Sequence, residues 1–376
     1  MEHYLDNAAT TKPCAEAAAA VMSCISAHYG NPSSLHRKGL EAQHEVEYAR
    51  NQIAGALGCK AQEIIFTSGA TESSNLAIRG AVAAYGRKRK KIVASAVEHA
   101  SVKATLSYLE TLGFTVVTVS PAADGEYHVE DFLREIDSSV CLVSMMLVNN
   151  ENGCRLPVEN VFRMVKRNDP EIITHCDAVQ GFLKIPFKPR TLCADLVSVS
   201  GHKVHALKGV GALYIRHGVR VKPILCGSEQ ERGLRPGTES VPLIASFGAA
   251  TEKLSLNIEE RLERVSQLRS SLIAKLREMD GVIIRDIEGA SPYVLNISLL
   301  GYRSEIVLHY LEQREVYVSS GSACSKGASS GVLELFGAKP AEVDSALRIS
   351  FCAENTEEDI AALVQGLRDA QKELMH

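Results

Sequence analysis

The chain has little net charge to offer a polyanion. Its 41 Lys and Arg against 45 Asp and Glu leave a formal charge of −4, which gives no global attraction to nucleic acid or to an anionic membrane. The one basic run, Arg87-Lys88-Arg89-Lys90-Lys91, reads as a solvated turn before an apolar strand, although an acidic partner would also suit it. No stretch is long and apolar enough to span a bilayer. The opening Met1-Glu2-His3-Tyr4-Leu5-Asp6 lacks the basic and apolar regions of a signal peptide, so the expected compartment is the cytoplasm. The ten cysteines include no CxxC pair and no metal-ligand spacing, and no metal is expected. In a reducing compartment they are free thiols, mostly small apolar core residues, and a reactive one must be picked out by its surroundings. Internal repeats and low-complexity segments are missing as well.

What is present is an ordinary globular composition, 45% hydrophobic and 23% charged, over 376 residues. That length suits one large α/β domain and a smaller one. Strand-like apolar runs recur at Glu63–Ser68, Lys91–Ala96, Thr115–Ser120, Cys141–Val148, Ile172–Asp177, Leu196–Ser200 and Gly211–Arg216. The first five alternate with helical patterns such as Thr71–Ala84 and Val102–Leu112. Nearly continuous apolar strands alternating with helices predict a mostly parallel, seven-stranded sheet covered on both faces. The last two runs have little helix between them and leave room for an antiparallel edge strand.

From about Pro242 a long helical region begins, including Ile258–Met279 with Leu262, Val265, Leu268, Leu272 and Leu276 at helical spacing. Strands near Val282–Arg285 and Val294–Leu299 follow, then a helix near Ser304–Gln313 and a strand near Val316–Ser319. A final helix starts at Thr356, where Thr356 and Asp359 form a variant capping box. The expected division is a large domain over residues 14–255 and a smaller α+β domain over 256–376 together with 1–13.

Three motifs fall at predicted strand ends, where open α/β sheets bind their ligands. Thr67-Ser68-Gly69-Ala70-Thr71-Glu72 leads from a strand into a helix, and free N–H groups there suit a phosphate. Taken alone it reads more readily as an ordinary strand-to-helix turn with a threonine cap. In Asp177-Ala178-Val179-Gln180 a carboxylate at a strand end can pair with a protonated ring nitrogen and Gln180 can donate to a ring oxygen; otherwise Asp177 merely caps a turn. In Ser200-Gly201-His202-Lys203 a lysine at a strand end can lose its proton and form a Schiff base, with Ser200 and His202 free for phosphate oxygens. Most lysines, though, are surface residues. His99 follows a strand and opens a helix, where it suits stacking on an aromatic cofactor, proton transfer or simple capping. Asn150 follows the strand Cys141–Val148.

Toward the C-terminus, Ser319-Ser320-Gly321-Ser322-Ala323-Cys324-Ser325-Lys326-Gly327 surrounds one thiol with small residues that have no packing use for it, so Cys324 is the candidate nucleophile. Arg348 lies on an apolar run and needs an anion, either a substrate carboxylate taken bidentately or an internal Asp or Glu.

Together with Tyr4-Leu5-Asp6-Asn7-Ala8-Ala9-Thr10-Thr11, Gly30-Asn31-Pro32-Ser33-Ser34-Leu35-His36 and Arg235-Pro236-Gly237-Thr238, these motifs resemble the cysteine desulfurases, class I branch, of the class V aminotransferase superfamily, almost end to end. The resemblance implies a fold-type I transferase dependent on pyridoxal 5′-phosphate (PLP). Lys203 should hold PLP; Gly69 or Ala70, Thr71, Ser200 and His202 should bind its phosphate. Asp177 should pair with the ring nitrogen, Gln180 should contact the ring hydroxyl and His99 should stack on the ring. Asn31, Asn150 and Arg348 should bind the substrate, L-cysteine. Thr238 should reach the phosphate of a neighbouring subunit, making the enzyme a homodimer with a shared site.

The catalytic set is then Lys203, His99 and Cys324, with Cys324 taking the sulfur, alanine leaving, and an acceptor protein receiving the sulfur for an iron–sulfur scaffold, tRNA thiolation or thiamin synthesis. The chain departs from the family at Ala206-Leu207, where Gly-Pro is usual, at Cys226-Gly227-Ser228-Glu229, where His-Gly-Gly-Gly is usual, and in a slightly shorter segment after Cys324. The rival enzyme readings are a selenocysteine lyase or another PLP lyase or aminotransferase. A scaffold protein with a retired site is the rival of another class, and intact Lys203, Asp177, Cys324 and Arg348 argue against it.

Overall fold

The structure is a computed structural model and describes residues 1–320 and 331–374. Seven strands form one sheet in the spatial order Ile64–Thr67, Gly211–Ile215, Leu196–Ser200, Ile173–Asp177, Val140–Met146, Lys91–Ser95, Thr115–Val119. All but one run parallel; Gly211–Ile215 is antiparallel to both of its neighbours. The apolar runs are continuous because both faces of the sheet are covered. In the interior strand Val140–Met146, Leu142 enters one core with Leu76, Ile92 and Leu196, while Val143 enters another with Val93, Phe162 and Val197.

The antiparallel strand is not at the edge, as the run spacing suggested, but second from it. Every residue of Gly211–Ile215 is buried, whereas in Thr115–Val119 at the far edge only Val119 is buried, as an edge strand allows. The close packing around Gly211 has a steric cause. A Cβ there would lie 2.7 Å from Gly69 Cα and 2.8 Å from the Val199 carbonyl oxygen, so only glycine lets the loop after Thr67 cross the end of this strand.

The smaller sheet is antiparallel throughout, in the order Ser319–Ser320, Ala346–Ser350, Val294–Leu299, Val282–Arg285. The helices Ile258–Leu276, Ser304–Glu312 and Glu357–Glu373 build a core with it around Val265, Leu272, Leu295, Leu311, Phe351 and Leu363. The capping box is present: Thr356 N–H donates to Asp359 at 2.9 Å.

Two expectations need correction. The helical region after Pro242 is two helices, Val241–Ser255 and Ile258–Leu276, because Asn257 leaves the helical range at φ −137°. The predicted strand Val316–Ser319 is split: Val316–Tyr317 pairs parallel with His3–Tyr4, and Ser319–Ser320 joins the smaller sheet beside Arg348. That division appears only when the distant N-terminal strand takes one half of the run.

Candidate active site

The chain direction explains why chemistry collects on one side of the large sheet. The strands ending at Thr67, Ser95, Met146, Asp177 and Ser200 all point their carboxyl ends the same way. A cleft of about 740 Å³ opens there, lined among others by Gly69, Ala70, Thr71, His99, Asn150, Asp177, Gln180, Ser200, His202, Lys203 and Arg348. Segments far apart in the chain thus meet in one place.

Lys203 follows Ser200 on a short turn. Its Nζ donates to the carbonyl oxygens of Ala8 and Ala9, both at 2.6 Å. The turn holds its shape without the usual Gly-Pro. Val204 and Ala206 N–H groups both donate to Gly201 O, at 3.0 and 3.1 Å, and His205 adopts a left-handed φ of 59° while its N–H donates to Thr11 Oγ1 at 2.7 Å.

Asp177 closes the central part of the cleft. One carboxylate oxygen accepts the Val179 N–H at 3.0 Å. Burial pushes this carboxyl above the ordinary range, against the opposing effects of His99, the Val179 hydrogen bond and Lys203. Among the described residues no Lys or Arg forms an ion pair with it. A cation brought into the cleft would restore the charged form.

His99 serves as cap and wall at once. Its Nδ1 accepts the Ser101 N–H at 3.2 Å at the start of the helix Ala100–Thr111, and burial lowers its pKa. A ring that accepts at Nδ1 keeps its hydrogen on Nε2 in the neutral form.

The phosphate-like end of the cleft is the start of the helix Ala70–Tyr85, whose first N–H groups have no intrahelical acceptors. Ser200 Oγ is buried without a partner among the described residues, and His202 is neutral, its pKa pushed down to about 4 by burial and by the nearby lysines.

Arg348 has the internal partner that the sequence left open. Its Nη2 pairs with Asp6 at 2.8 Å and its Nη1 donates to Asn150 O at 3.2 Å, while Nε is buried without a partner among the described residues. The guanidinium is held by one carboxylate and still has donors to spare.

Two expected binding residues are not brought into the cleft of this chain. Asn31 is exposed, and its Oδ1 accepts the Ser33 N–H at 2.9 Å in a local turn. Thr238 is exposed on a loop tied by Arg235 to Glu72 at 2.9 Å, beside the loop Ser68–Gly69 but outside the cleft. Cys324 lies outside the described residues.

Sequence reasoning assigned no role to Asp6, to the Ala8 and Ala9 carbonyls, to Lys184 or to Glu98. Carbonyls carry no side-chain signature, and the two acids and the lysine differ from surface residues only in their burial or pairing. Glu98 is fully buried, with Oε1 accepting the Met146 N–H at 2.6 Å and also the Ser95 hydroxyl.

The aminotransferase class-V family model matches residues 3–363. The cysteine desulfurase of Trichormus azollae is 38% identical over 368 residues, covering 96% of this chain and 91% of that protein. The chain belongs to the class-V aminotransferase family, in its cysteine desulfurase group. Among solved structures, a NifS-like protein superposes with a TM-score of 0.94 at 35% identity, covering 100% of both chains. SspA in complex with cysteine gives a TM-score of 0.82 at 30% identity over 95% of this chain and 100% of that one.

Class-V aminotransferases depend on PLP as a family, and the donor set here suits it. The cleft offers a buried carboxyl for a protonated ring nitrogen, a lysine amine, and a helix start with a spare hydroxyl for a phosphate.

Glu98, which is hydrogen-bonded to the cleft-lining Met146, makes the stability of the chain sensitive to pH. Burial, reinforced by the charge of Asp177, pushes its carboxyl from an ordinary 4.5 up to about 8. Between those values the folded chain keeps a proton that the unfolded chain releases, so this group costs stability as pH rises through the window, and each unit of displacement is worth about 1.4 kcal/mol. Glu98→Gln keeps the acceptor for Met146 and removes the titration. In urea unfolding measured across the same range, the variant is expected to show a flatter loss of stability than the wild type; parallel curves would mean that Glu98 titrates normally.

Proposed function

We propose that this cleft removes sulfur from L-cysteine with PLP bound to Lys203, leaving the sulfur as a persulfide on Cys324 and releasing L-alanine. The observation that carries the reading is the meeting, in one cleft, of a lysine amine with a buried carboxyl that forms no ion pair with a Lys or Arg among the described residues. PLP, when bound, supplies an electron sink for the α-carbon of the substrate. Asp177 would keep the ring nitrogen protonated, Gln180 would contact the ring oxygen and His99 would cover the ring. The helix start at Gly69, Ala70 and Thr71, with Ser200 and His202, would hold the phosphate. Lys203 would move the α-proton once it is free of the cofactor.

Asn150 and Arg348 support a carboxylate site because they meet in the cleft and Arg348 Nε has no partner among the described residues. Ser319 also lines the cleft, and Cys324 is five residues farther on, a span of at most ~17 Å for extended chain. In the transfer, the Cys324 thiolate attacks the substrate sulfur. A sulfur–sulfur bond forms and the carbon–sulfur bond breaks. Its electron pair passes to the carbon skeleton, which takes up a proton and leaves as alanine. The names of the relatives favour cysteine over selenocysteine as the substrate. An acceptor protein would then take the sulfur from Cys324.

Cys324→Ser is expected to keep bound PLP and to lose nearly all cysteine-dependent sulfide release, while mass spectrometry of the wild type places the added sulfur on the Cys324 peptide. Wild-type sulfide release by the variant, or sulfur found on the exposed Cys226, would overturn the assignment. Arg348→Lys keeps a partner for Asp6 but loses the planar fork, and should weaken kcat/KM for cysteine by ~1.5–3 kcal/mol; unchanged kinetics would confine Arg348 to its internal pair.

A homodimer with Thr238 at the partner's phosphate is supported by the exposed Met22, Ile25, Tyr29, Leu35, Leu40 and Tyr48. Sedimentation should report a dimer at working concentration, and a monomer would exclude the shared site.

A further inference from the structure

Lys184 is buried, with 7% of its surface exposed. Its Nζ donates to Gln180 Oε1 at 2.9 Å and lies 5.8 Å from the centre of the Tyr293 ring. Among the described residues no carboxylate forms an ion pair with it, and the cations Lys203 and Arg348 act on it instead. Burial, followed by the charge of Lys203, pushes its pKa down to about 7. A methionine would fill the same space without the cost of burying an amine beside cations. The amine therefore has a use that packing does not explain.

That use lies in the Gln180 amide. Its Nε2 donates to Ala8 O at 2.9 Å, and its Oε1 accepts from Lys184. If the amide flipped, Oε1 would face the Ala8 carbonyl and Nε2 would face the protonated Lys184 amine, so both contacts would be lost while that amine holds its proton. The Ala8 carbonyl also accepts from Lys203, which ties the amide and the lysine amine to one acceptor.

Resting on the reading that PLP occupies the cleft, we propose that Lys184 is a positioning residue. By holding Gln180 Oε1 it turns the amide nitrogen toward the cleft, so that an N–H is always offered to the hydroxyl oxygen of the bound ring. A donor at that oxygen stabilises its anionic form and lowers the pKa of the adjacent Schiff-base proton.

The test is a pH titration of the visible absorbance of the PLP-loaded protein. Lys184→Met should raise the apparent pKa by ~0.5–1 unit, because an unheld amide turns its oxygen to the ring for part of the time. Lys184→Arg, which keeps a donor, should stay near wild type. In a Gln180→Ala background, Lys184→Met should produce no further shift. A shift of equal size in both backgrounds would show that Lys184 acts through its charge alone and would overturn the proposal.

Gln180→Glu gives an independent check, since it keeps a partner for Lys184 but has no N–H; it should raise the pKa as well, and an unmoved band would also overturn the proposal. A wild-type protein with no PLP band would remove the functional reading and this proposal with it, whereas a normal wild-type band without the Lys184–Gln180 coupling removes only the proposal.

Discussion

The cleft depends on one strip of backbone near the start of the chain. His3–Tyr4 pairs with Val316–Tyr317 at the smaller core. The strip then crosses Ala346–Ser350, where Asn7 N–H donates to Ser350 O at 3.2 Å and Ala8 N–H to Ser350 Oγ at 2.8 Å. It reaches the large sheet at Thr11, whose N–H donates to His202 O at 2.9 Å. Between these anchors the carbonyls of Ala8 and Ala9 hold the Lys203 amine, Ala8 also holds the Gln180 amide, and Asp6 holds Arg348. Residues from both cores are placed relative to one another by a single segment, which turns at Asn7–Ala9. Backbone carbonyls suit this work because they have no rotamers to lose.

The charges of the cleft are distributed unevenly. Asp177 and Glu98 are buried acids whose pKa values burial raises, and Lys184 is a buried amine whose pKa burial lowers. Each departs in the direction that neutralises it, which is the usual response of a group denied both water and an opposite charge in contact with it. Arg348, in contrast, is paired with Asp6. The cleft thus holds a paired guanidinium, while Asp177 is short of a counter-charge among the described residues. Asp177 lines the cleft, and Glu98 and Lys184 lie outside its lining but within electrostatic reach of Asp177 and Lys203; perturbed groups around a cleft mark functional sites more often than structural ones.

The strands of the large sheet were legible in the sequence because burial on both faces makes each one a continuous apolar run, and Ile173–Asp177 and Leu196–Ser200 fall within the predicted limits. The position of Gly211–Ile215 within the sheet was not legible, since nothing in a buried run says which strands lie on either side of it. The break at Asn257 and the split at Val318 were missed for a related reason. Local periodicity continues through both, and only contacts with distant segments end the element. In the site, Lys203, Asp177, Ser200 and His99 could be named because turn motifs at strand ends put them there. Asn31 and Thr238 rest on resemblance, and a single chain does not bring them to the cleft.

By itself the sequence determined which residues are candidates for chemistry: a lysine, a carboxylate and a helix start at strand ends, and a thiol among small residues. Those assignments depend on residue type and local turn geometry, which neighbouring residues specify. The tertiary structure alone decided how these groups are held. Asp6 reaches Arg348 across most of the chain, Lys184 sets the Gln180 amide, and Glu98 becomes a buried acid behind His99. Such roles follow from burial and from the direction of hydrogen bonds between segments far apart in sequence. Neither quantity exists until the chain has closed around the cleft.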